Sequence, residues 1–184
     1  MTTAATCLSL ASCAPPERGD GRDTGVEPAS GEFVDGGTVE YGHEQEPPCA
    51  HGGWVQNGFL ARQYLDSLVS LDDEDRPVPW LAESWDVSDD GTDVTVHLRD
   101  DVTFHNGADL DSGDVKASFE NYSDPARSGQ LARTAQQIER IDTPDPLTVD
   151  FTFAQAVNNV FDLFEFVPVI EDSTVDAVND GTAF

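Results

Sequence analysis

Apolar and polar positions alternate along this chain with two different periods. From position 147 to 153, apolar side chains occupy every second residue and polar ones fill the places between them. A period of two puts the apolar residues on one face of an extended segment, so this stretch predicts a half-buried β-strand. The same period marks a second strand from position 94 to 99. The apolar faces consist of Leu147, Val149, Phe151 and Phe153 in one strand, and Val94, Val96 and Leu98 in the other.

The residues before the second of these strands predict a hairpin. Trp85 and Val87 lead into Ser88-Asp89-Asp90-Gly91, a turn sequence whose glycine tolerates a positive φ.

A calcium loop of the EF-hand type is an alternative interpretation of the same stretch. Asp86, Ser88 and Asp90 match the first ligand positions of such a loop. Its twelfth position requires a bidentate glutamate, and here that position holds His97. The missing ligand favours the hairpin turn.

Other segments repeat apolar residues at three- and four-residue spacing, which is typical of a helix with one buried face. The clearest helix start is at Asp111 and Ser112, which are good N-cap residues, and Asp114 favours the first turn through the backbone dipole. The predicted inward residues of this helix are Val115, Phe119 and Tyr122, and the other two helical faces comprise Val55, Gly58, Phe59, Arg62, Leu65, Leu68 and Val69, and Val157, Val160, Phe161 and Phe164.

Shorter segments complete the predicted order of elements. The first strand is expected at 38–42, a solvated connection at 72–79, a turn at 143–146 and a short buried strand at 167–170, and Ser173 is expected to cap a last helix. Strands and helices therefore alternate irregularly. This order predicts a mixed α/β or α+β lobe rather than a helical bundle or a β-sandwich.

Composition divides the chain into three parts. Residues 14–37 are rich in Pro, Gly, Glu and Asp with few apolar side chains, so they predict a flexible acidic linker. Residues 1–13 are interpreted as a truncated lipoprotein signal, because Leu10-Ala11-Ser12-Cys13 resembles a lipobox with Cys13 as the acylated residue. An ordinary thiol in an unstructured leader is the alternative for Cys13. Residues 38–184 are expected to hold the folded domain.

The charge balance narrows the classes of partner. The chain has 36 acidic and 9 basic residues, which gives a formal net charge of -27. Nucleic acids and anionic membrane surfaces need clustered Lys and Arg, so both are poor partners for this chain. An acid-rich surface suits either a salty habitat or an exported protein that must stay soluble, and charge alone does not separate the two.

Catalytic and metal chemistry find little support in the sequence. Serines lie in predicted turns and helix caps without a Gly-x-Ser-x-Gly elbow, and the many carboxylates lie at turns or solvent-facing positions, so no enzyme and no cofactor is predicted. His43, Cys49 and His51 are three possible donors for zinc or nickel. No fourth ligand accompanies them at a recognised spacing, so no metal site is predicted either.

The stretch from Pro79 to Glu120 resembles one known family. Pro79 to Trp85 reads PWLAESW, the hairpin turn SDDG follows, the next strand ends in LRDDVTFHNG, and DVKASFE opens the helix. These four elements in this order resemble the extracytoplasmic solute-binding proteins of family 5, which serve ABC importers for peptides and nickel. The resemblance extends loosely from Gly36 to the C-terminus.

The resemblance implies a periplasmic-binding-protein type II fold, in which two lobes close on a ligand. Family members are about three times longer, so the chain is expected to hold the N-terminal portion. It implies capture of peptides outside the membrane by a monomeric cell-surface lipoprotein or periplasmic protein, and delivery to a permease and its ATPase subunits. The alternatives are a nickel or other small-solute binder, and a truncated surface domain that no longer transports; a secreted hydrolase has the least support.

The resemblance also implies where the ligand binds. In this family the loop after the first strand faces the cleft, and here that loop holds His43, Glu44, Gln45 and Glu46. The carboxylate of Glu44 or Glu46 suits a ligand ammonium group, and Tyr41 or Trp54 suits its apolar part. An ordinary acidic surface loop is the equal alternative. Trp80 and Trp85 are expected to pack the hairpin against its helix rather than to contact the ligand.

Overall fold

A computed structural model of the protein describes residues 62–126 and 131–179. These residues form a mixed array of short strands and helices. In chain order they are β1 (Val69–Leu71), β2 (Pro77–Pro79), β3 (Ala82–Val87), β4 (Asp93–Leu98), α1 (Ser112–Ser123), α2 (Ala132–Ala135), β5 (Ile138–Asp145), β6 (Thr148–Phe153), α3 (Val160–Phe166), a 3-10 helix (Asp172–Thr174) and α4 (Val175–Asn179).

Four strands form an antiparallel sheet in the order β3-β4-β6-β5. Helices α1 and α3 cover one face of it, and three phenylalanine rings meet at the centre. The ring centroids of Phe119 on α1 and Phe164 on α3 each lie 4.9 Å from that of Phe151 on β6, and 5.7 Å from each other. All three are fully buried, so they form the middle of the core.

Both strands predicted from alternation are present. Val94, Val96, Val149 and Phe151 are almost completely buried, while the polar residues between them lie on the solvent side. The predicted hairpin is present as well, since β3 pairs with β4 and Gly91 in its turn has a φ of 70°. The stretch that mimics a calcium loop is therefore two paired strands and a turn.

The turn is stabilised by its own side chains. Asp90 accepts hydrogen bonds from the hydroxyls of Ser88 and Thr92, and the Asp93 amide donates to the Ser88 hydroxyl. The hydrogen bonds from Ser88 and then Thr92 lower the pKa of Asp90, because they favour its charged form.

Two segments before this hairpin differ from the prediction. The expected helical face through Leu68 and Val69 is wrong in its last part, because residues 62–64 form a turn and Val69 begins β1. The expected solvated connection contains β2, which pairs with β1. The pairing tolerates both prolines of β2. The Asp72 amide donates to the Arg76 carbonyl, and hydrogen-bonded and non-hydrogen-bonded residue pairs alternate along an antiparallel ladder. Pro77 and Pro79 therefore lie in non-hydrogen-bonded pairs, where no N–H donor is needed.

The turn expected at 143–146 lies two residues later. Residues 143–145 belong to β5, and the chain reverses at Pro146 and Leu147. The prediction missed β5 altogether. It is an edge strand in which only Ile141 is buried, so its sequence has no apolar alternation to reveal it.

Helix α1 begins as predicted and buries the predicted face. Asp111 is the N-cap, and Val115, Phe119 and Tyr122 are all buried. Helix α3 confirms the predicted helical spacing near position 160.

The segment after α3 is buried but is not a strand. Val167 and Val169 are nearly inaccessible, yet the segment contributes only an isolated bridge between Pro168 and Ser67. Ser173 lies inside the 3-10 helix, whose N-cap is Glu171, and does not cap a helix. Within residues 62–126 and 131–179, no helix combines the length and the apolar character needed to cross a membrane.

Candidate functional site

Polar residues in the stretch from Pro79 to Glu120 are candidates for a functional site, because a buried polar group costs free energy unless it has partners. Asp114 is the most buried carboxylate among the described residues, at 4% exposure. Its carboxylate accepts from the Asp111 amide at 2.9 Å and from the Asp172 amide at 2.8 Å. In return, the Asp111 carboxylate accepts from the amides of Gly113 and Asp114, which completes a capping box.

The pKa of Asp114 reflects two opposing influences at the start of α1. Burial raises the pKa of Asp114, while the backbone donors from Asp111 and Asp172 act in the opposite direction. Asp114 therefore joins the start of α1 to the 3-10 helix. Its geometry serves the fold, since both of its oxygen atoms accept from the protein's own backbone.

Ser118, one turn further along α1, makes a second link of the same kind. Its hydroxyl donates to the Ile170 carbonyl at 3.2 Å and accepts from the Ile170 amide at 2.9 Å. Ser118 is 3% exposed. The segment after α3 thus obtains from a side chain the hydrogen bonds that a sheet neighbour would otherwise supply.

Arg99 is the polar anchor at the other end of the same stretch. Its guanidinium makes two bonds of 2.9 Å to the Asp101 carboxylate and one of 3.4 Å to the Trp80 carbonyl. The Arg99 amide also donates to the Leu81 carbonyl. The hydrogen bond and charge of Asp101 raise the pKa of Arg99, to which Asp66 and Glu83 add more distantly.

Trp80 is the residue in this region that no fold requirement explains. It is 50% exposed, and its indole N–H donates to the Asp66 carboxylate at 2.8 Å. Trp85 behaves as expected, because it packs against Phe161 of α3 with a ring-centroid distance of 5.3 Å. The expectation of a packing role therefore holds for Trp85 and is wrong for Trp80.

Two open hollows flank the Trp80 indole, and Asp66 lines both. One has a volume of about 180 Å³ and includes Arg62 and Glu165, which form an ion pair at 2.7 Å. The other has a volume of about 500 Å³ and includes Arg99 and Asp101. We call Trp80, Asp66, Glu83, Arg99 and Asp101 the Trp80 surface.

A third hollow of about 250 Å³ lies beside the turn of Phe104, His105 and Asn106. The turn itself is as predicted: the Phe104 amide donates to the Ala108 carbonyl, and Gly107 has a φ of 88°. Asn106 donates to Glu171 across the hollow. His105 is exposed and belongs to this tight turn.

The residues predicted to bind a ligand lie outside the described ranges. These are His43, Glu44, Gln45, Glu46 and Trp54, together with the predicted acylation site Cys13 and the possible metal donors Cys49 and His51. Among residues 62–126 and 131–179, no group of three or more His, Cys, Asp or Glu side chains is placed to hold a metal ion.

Comparison with known proteins decides the family. The sequence profile of the bacterial extracellular solute-binding proteins, family 5 Middle, matches residues 76–183. The match includes the hairpin, the capping box and the core helices described above, and it covers more than half of the chain. The chain belongs to this family.

Curated relatives of this family 5 chain agree with the profile. The glutathione-binding protein GsiB of Escherichia coli K12 is 36% identical over 96 residues, which are 52% of this chain and 19% of the relative. The same protein from Shigella boydii gives the same figures. The chain therefore spans about a fifth of the length of these relatives.

Solved structures of family members show a similar fold. The protein AgaA of Agrobacterium tumefaciens R10, in complex with agropinic acid, superposes with a TM-score of 0.67 at 27% identity, over 74% of this chain and 29% of AgaA. NikZ of Campylobacter jejuni, in complex with Ni(L-His), gives 0.55 at 27% identity, over 58% and 22%. The oligopeptide transporter substrate-binding domain of Bacillus anthracis gives 0.54 at 25% identity, over 62% and 26%.

The comparisons confirm the predicted family and the predicted fold class. The described residues form a mixed helix-and-sheet part of the two-lobe fold of periplasmic binding proteins. The matched relatives are solute-binding proteins rather than enzymes.

The sequence interpretation missed the exposure of Trp80. The prediction rested on the place of Trp80 in the PWLAESW stretch and on the large contribution of aromatic side chains to protein cores, and neither reports how exposed one ring is. Leu81 and Ala82, which follow Trp80, are both buried, so no apolar alternation in the sequence distinguishes Trp80 from its neighbours.

Proposed function

We propose that this family 5 chain is part of the substrate-binding component of an ABC importer, which captures peptides outside the membrane and delivers them to a permease and its ATPase. The observation that carries the proposal is the family match over residues 76–183. Relatives named as glutathione-binding and as part of an oligopeptide transporter favour a peptide cargo. The binding protein itself performs no covalent chemistry, and acts as a monomer by closing around its ligand.

The proposed ligand contacts are His43, Glu44, Gln45, Glu46 and Trp54. A peptide presents an ammonium group at its start and apolar side chains along its length. Carboxylates of Glu44 and Glu46 would pair with the ammonium, and the indole of Trp54 would cover apolar carbon. Asp114, Ser118 and Arg99, polar residues of the family stretch, bind other groups of the fold, so we expect selectivity to come from residues 43–46 and 54.

Isothermal titration of the full-length protein with a panel of tri- to pentapeptides tests the proposal. We expect binding of at least one peptide with a Kd near the micromolar range, about -8 kcal/mol. Glu44→Gln and Glu46→Gln should weaken that peptide, while Glu139→Gln, which removes an exposed carboxylate on β5, should not. The absence of heat with every peptide would overturn the cargo. Unchanged peptide binding by both glutamate variants would overturn the proposed ligand contacts but not the peptide cargo.

A metal chelate is the second candidate cargo. It is favoured by the 27% identity to NikZ, whose structure contains Ni(L-His). His43, Cys49 and His51 offer nitrogen and sulfur donors suited to nickel. Titration with nickel and histidine together separates the two candidates, because a peptide binder gives no saturable heat in that experiment.

We also propose an extracytoplasmic location with a lipid anchor at Cys13, followed by the tether at 14–37 and the binding domain from 38 onward. A lipid-anchored binding protein needs such a spacer to reach a ligand away from the surface. Acyl-chain labelling in the host tests this. A Cys13→Ser variant that is labelled as strongly as the parent protein would contradict the anchor.

A further inference from the structure

The Trp80 surface combines an exposed aromatic ring with an excess of negative charge. Among the described residues the large apolar side chains that are exposed are Tyr64, Trp80 and Val87, and Trp80 is the most exposed of them. A half-exposed indole leaves apolar area in contact with water, and a partner that covers this area gains hydrophobic free energy.

The ring is held in one orientation before anything binds. The hydrogen bond from the indole to Asp66 fixes its direction. The Asp66 carbonyl in turn accepts from the Val169 amide at 2.9 Å, and the Leu81 amide, beside Trp80, donates to the Ser67 carbonyl at 3.2 Å. A preorganised aromatic side chain loses little conformational entropy when a partner covers it, and such residues are enriched among binding hot spots.

Charge around the ring selects the kind of partner. Asp66, Glu83 and Asp101 all interact favourably with the Arg99 guanidinium. Arg99 is the one cation in this group, and two of its nitrogen atoms are already bound to Asp101. Arg62 and Glu165, which line one of the hollows, form an ion pair with each other and leave this balance of three carboxylates to one guanidinium unchanged, so the surroundings of the indole are negative. An indole face and nearby carboxylates together favour a cation.

We propose that the Trp80 surface docks a lysine- or arginine-bearing segment of a partner protein, with the cationic group against the indole and near the carboxylates of Asp66 and Asp101. The two hollows beside the ring provide room for the neighbouring residues of that segment. A second copy of this chain is a poor occupant, because each copy carries a formal charge of -27. The docking surface consists of residues other than those of the proposed cargo loop, and the proposal does not depend on which solute is bound.

The indole N–H signals in nitrogen-15 NMR spectra of the full chain provide a direct test. The chain has three tryptophans, and loss of one signal in Trp80→Phe identifies the signal of Trp80. The probe is the blocked peptide acetyl-Gly-Lys-Gly-Arg-Gly-amide, compared with acetyl-Gly-Glu-Gly-Glu-Gly-amide. We expect the basic peptide to shift the Trp80 signal saturably and the acidic peptide to leave it in place.

Matched carboxylate variants separate docking from general attraction to an acidic protein. Asp101→Asn should raise the Kd for the basic peptide by about two- to fivefold, as expected for a surface ion pair. Glu139→Gln on β5, at the opposite edge of the sheet, should change it less.

A Trp80 signal that does not move, equal shifts with both peptides, or equal weakening by the two variants would each overturn the proposal. A Trp80 signal that moves with protein concentration alone would assign the surface to self-association and overturn it too. Shifts confined to the other two indoles would contradict docking at the Trp80 surface. Together with binding heat in the isothermal titration with peptides, they would still support the proposed cargo function.

Discussion

Asp114 is a single residue whose hydrogen bonds join two segments of the described structure. Its carboxylate is buried at the start of α1 and accepts from two backbone amides. The sequence suggested its place in the first helical turn, because Asp111 and Ser112 before it are N-cap residues. Its second contact, with Asp172, lies 58 positions away and has no local signal.

The pKa of Asp114 predicts how its contribution varies with pH. Burial raises this pKa above the ordinary value of 3.8, so the folded state holds the proton more tightly than the unfolded state. The resulting stabilisation is complete below the unfolded pKa and is lost as pH rises through the folded pKa. The destabilisation caused by Asp114→Asn should therefore be larger near pH 3 than near pH 6. Urea unfolding of both proteins across this range measures it.

The pKa of Asp90 is shifted in the opposite direction to that of Asp114. Hydrogen bonds from Ser88 and Thr92 lower its pKa, so carbon-13 NMR of the side-chain carboxyls should show Asp90 titrating below Asp114. A destabilisation by Asp114→Asn that grew with rising pH, or a reversed order of the two titrations, would contradict the assignment.

At the scale of elements, the hydrogen bonds between α1 and the segment after α3 depend on a single side chain, that of Ser118. The Ser118 hydroxyl satisfies both the amide and the carbonyl of Ile170 in a buried position. Ser118→Ala removes both bonds and leaves two backbone groups without partners. We expect a loss of about 1–3 kcal/mol in the free energy of unfolding, measured by urea denaturation.

Ser123 at the end of the same helix is the matched control. Its hydroxyl donates to the Glu120 carbonyl at an exposed position. Ser123→Ala should cost less than about 0.5 kcal/mol, because water replaces the lost bond. Equal losses for the two alanine variants would mean that the contact with Ile170 contributes little.

The elements differ in how far the sequence predicts them, and the reason is burial. Strands β4 and β6 lie in the middle of the sheet with one buried face, and their apolar alternation predicts them correctly. Edge strand β5 and the proline-containing β2 bury little, so their sequences favour a loop. The segment at 167–170 is apolar because it is buried, and burial alone does not distinguish a strand from an irregular segment.

For the whole molecule, the family stretch and the predicted ligand loop carry different information. Residues that match the family, such as Leu81, Arg99 and Phe119, are buried or hydrogen-bonded within the fold, which is why the stretch predicts architecture well. The ligand loop at 43–46 was inferred from the resemblance alone and stays a prediction. The Trp80 surface was found only from structure, because exposure depends on contacts between distant segments.

Net charge leads to the last prediction, which concerns the molecule as a whole. A formal charge of -27 on 184 residues creates repulsion that is stronger in the compact folded state than in the expanded unfolded chain. Raising NaCl from about 10 mM to about 150 mM shortens the Debye length from about 30 Å to about 8 Å, which screens most repulsion between distant carboxylates. The thermal midpoint should therefore rise over this interval and then level off.

The shape of that salt response separates two explanations for the acidic surface. Screening alone is nearly complete once the Debye length falls below the spacing of surface charges, so further NaCl up to about 1 M should add little. A midpoint that continued to climb to molar salt would instead indicate adaptation to a salty habitat, since the surface would then need concentrated cations. Scanning calorimetry at matched pH, with equal protein concentration in every sample, measures both parts of the curve. A midpoint unchanged between the lowest and highest salt would contradict both explanations, because the carboxylates would then be paired or dispersed well enough not to repel.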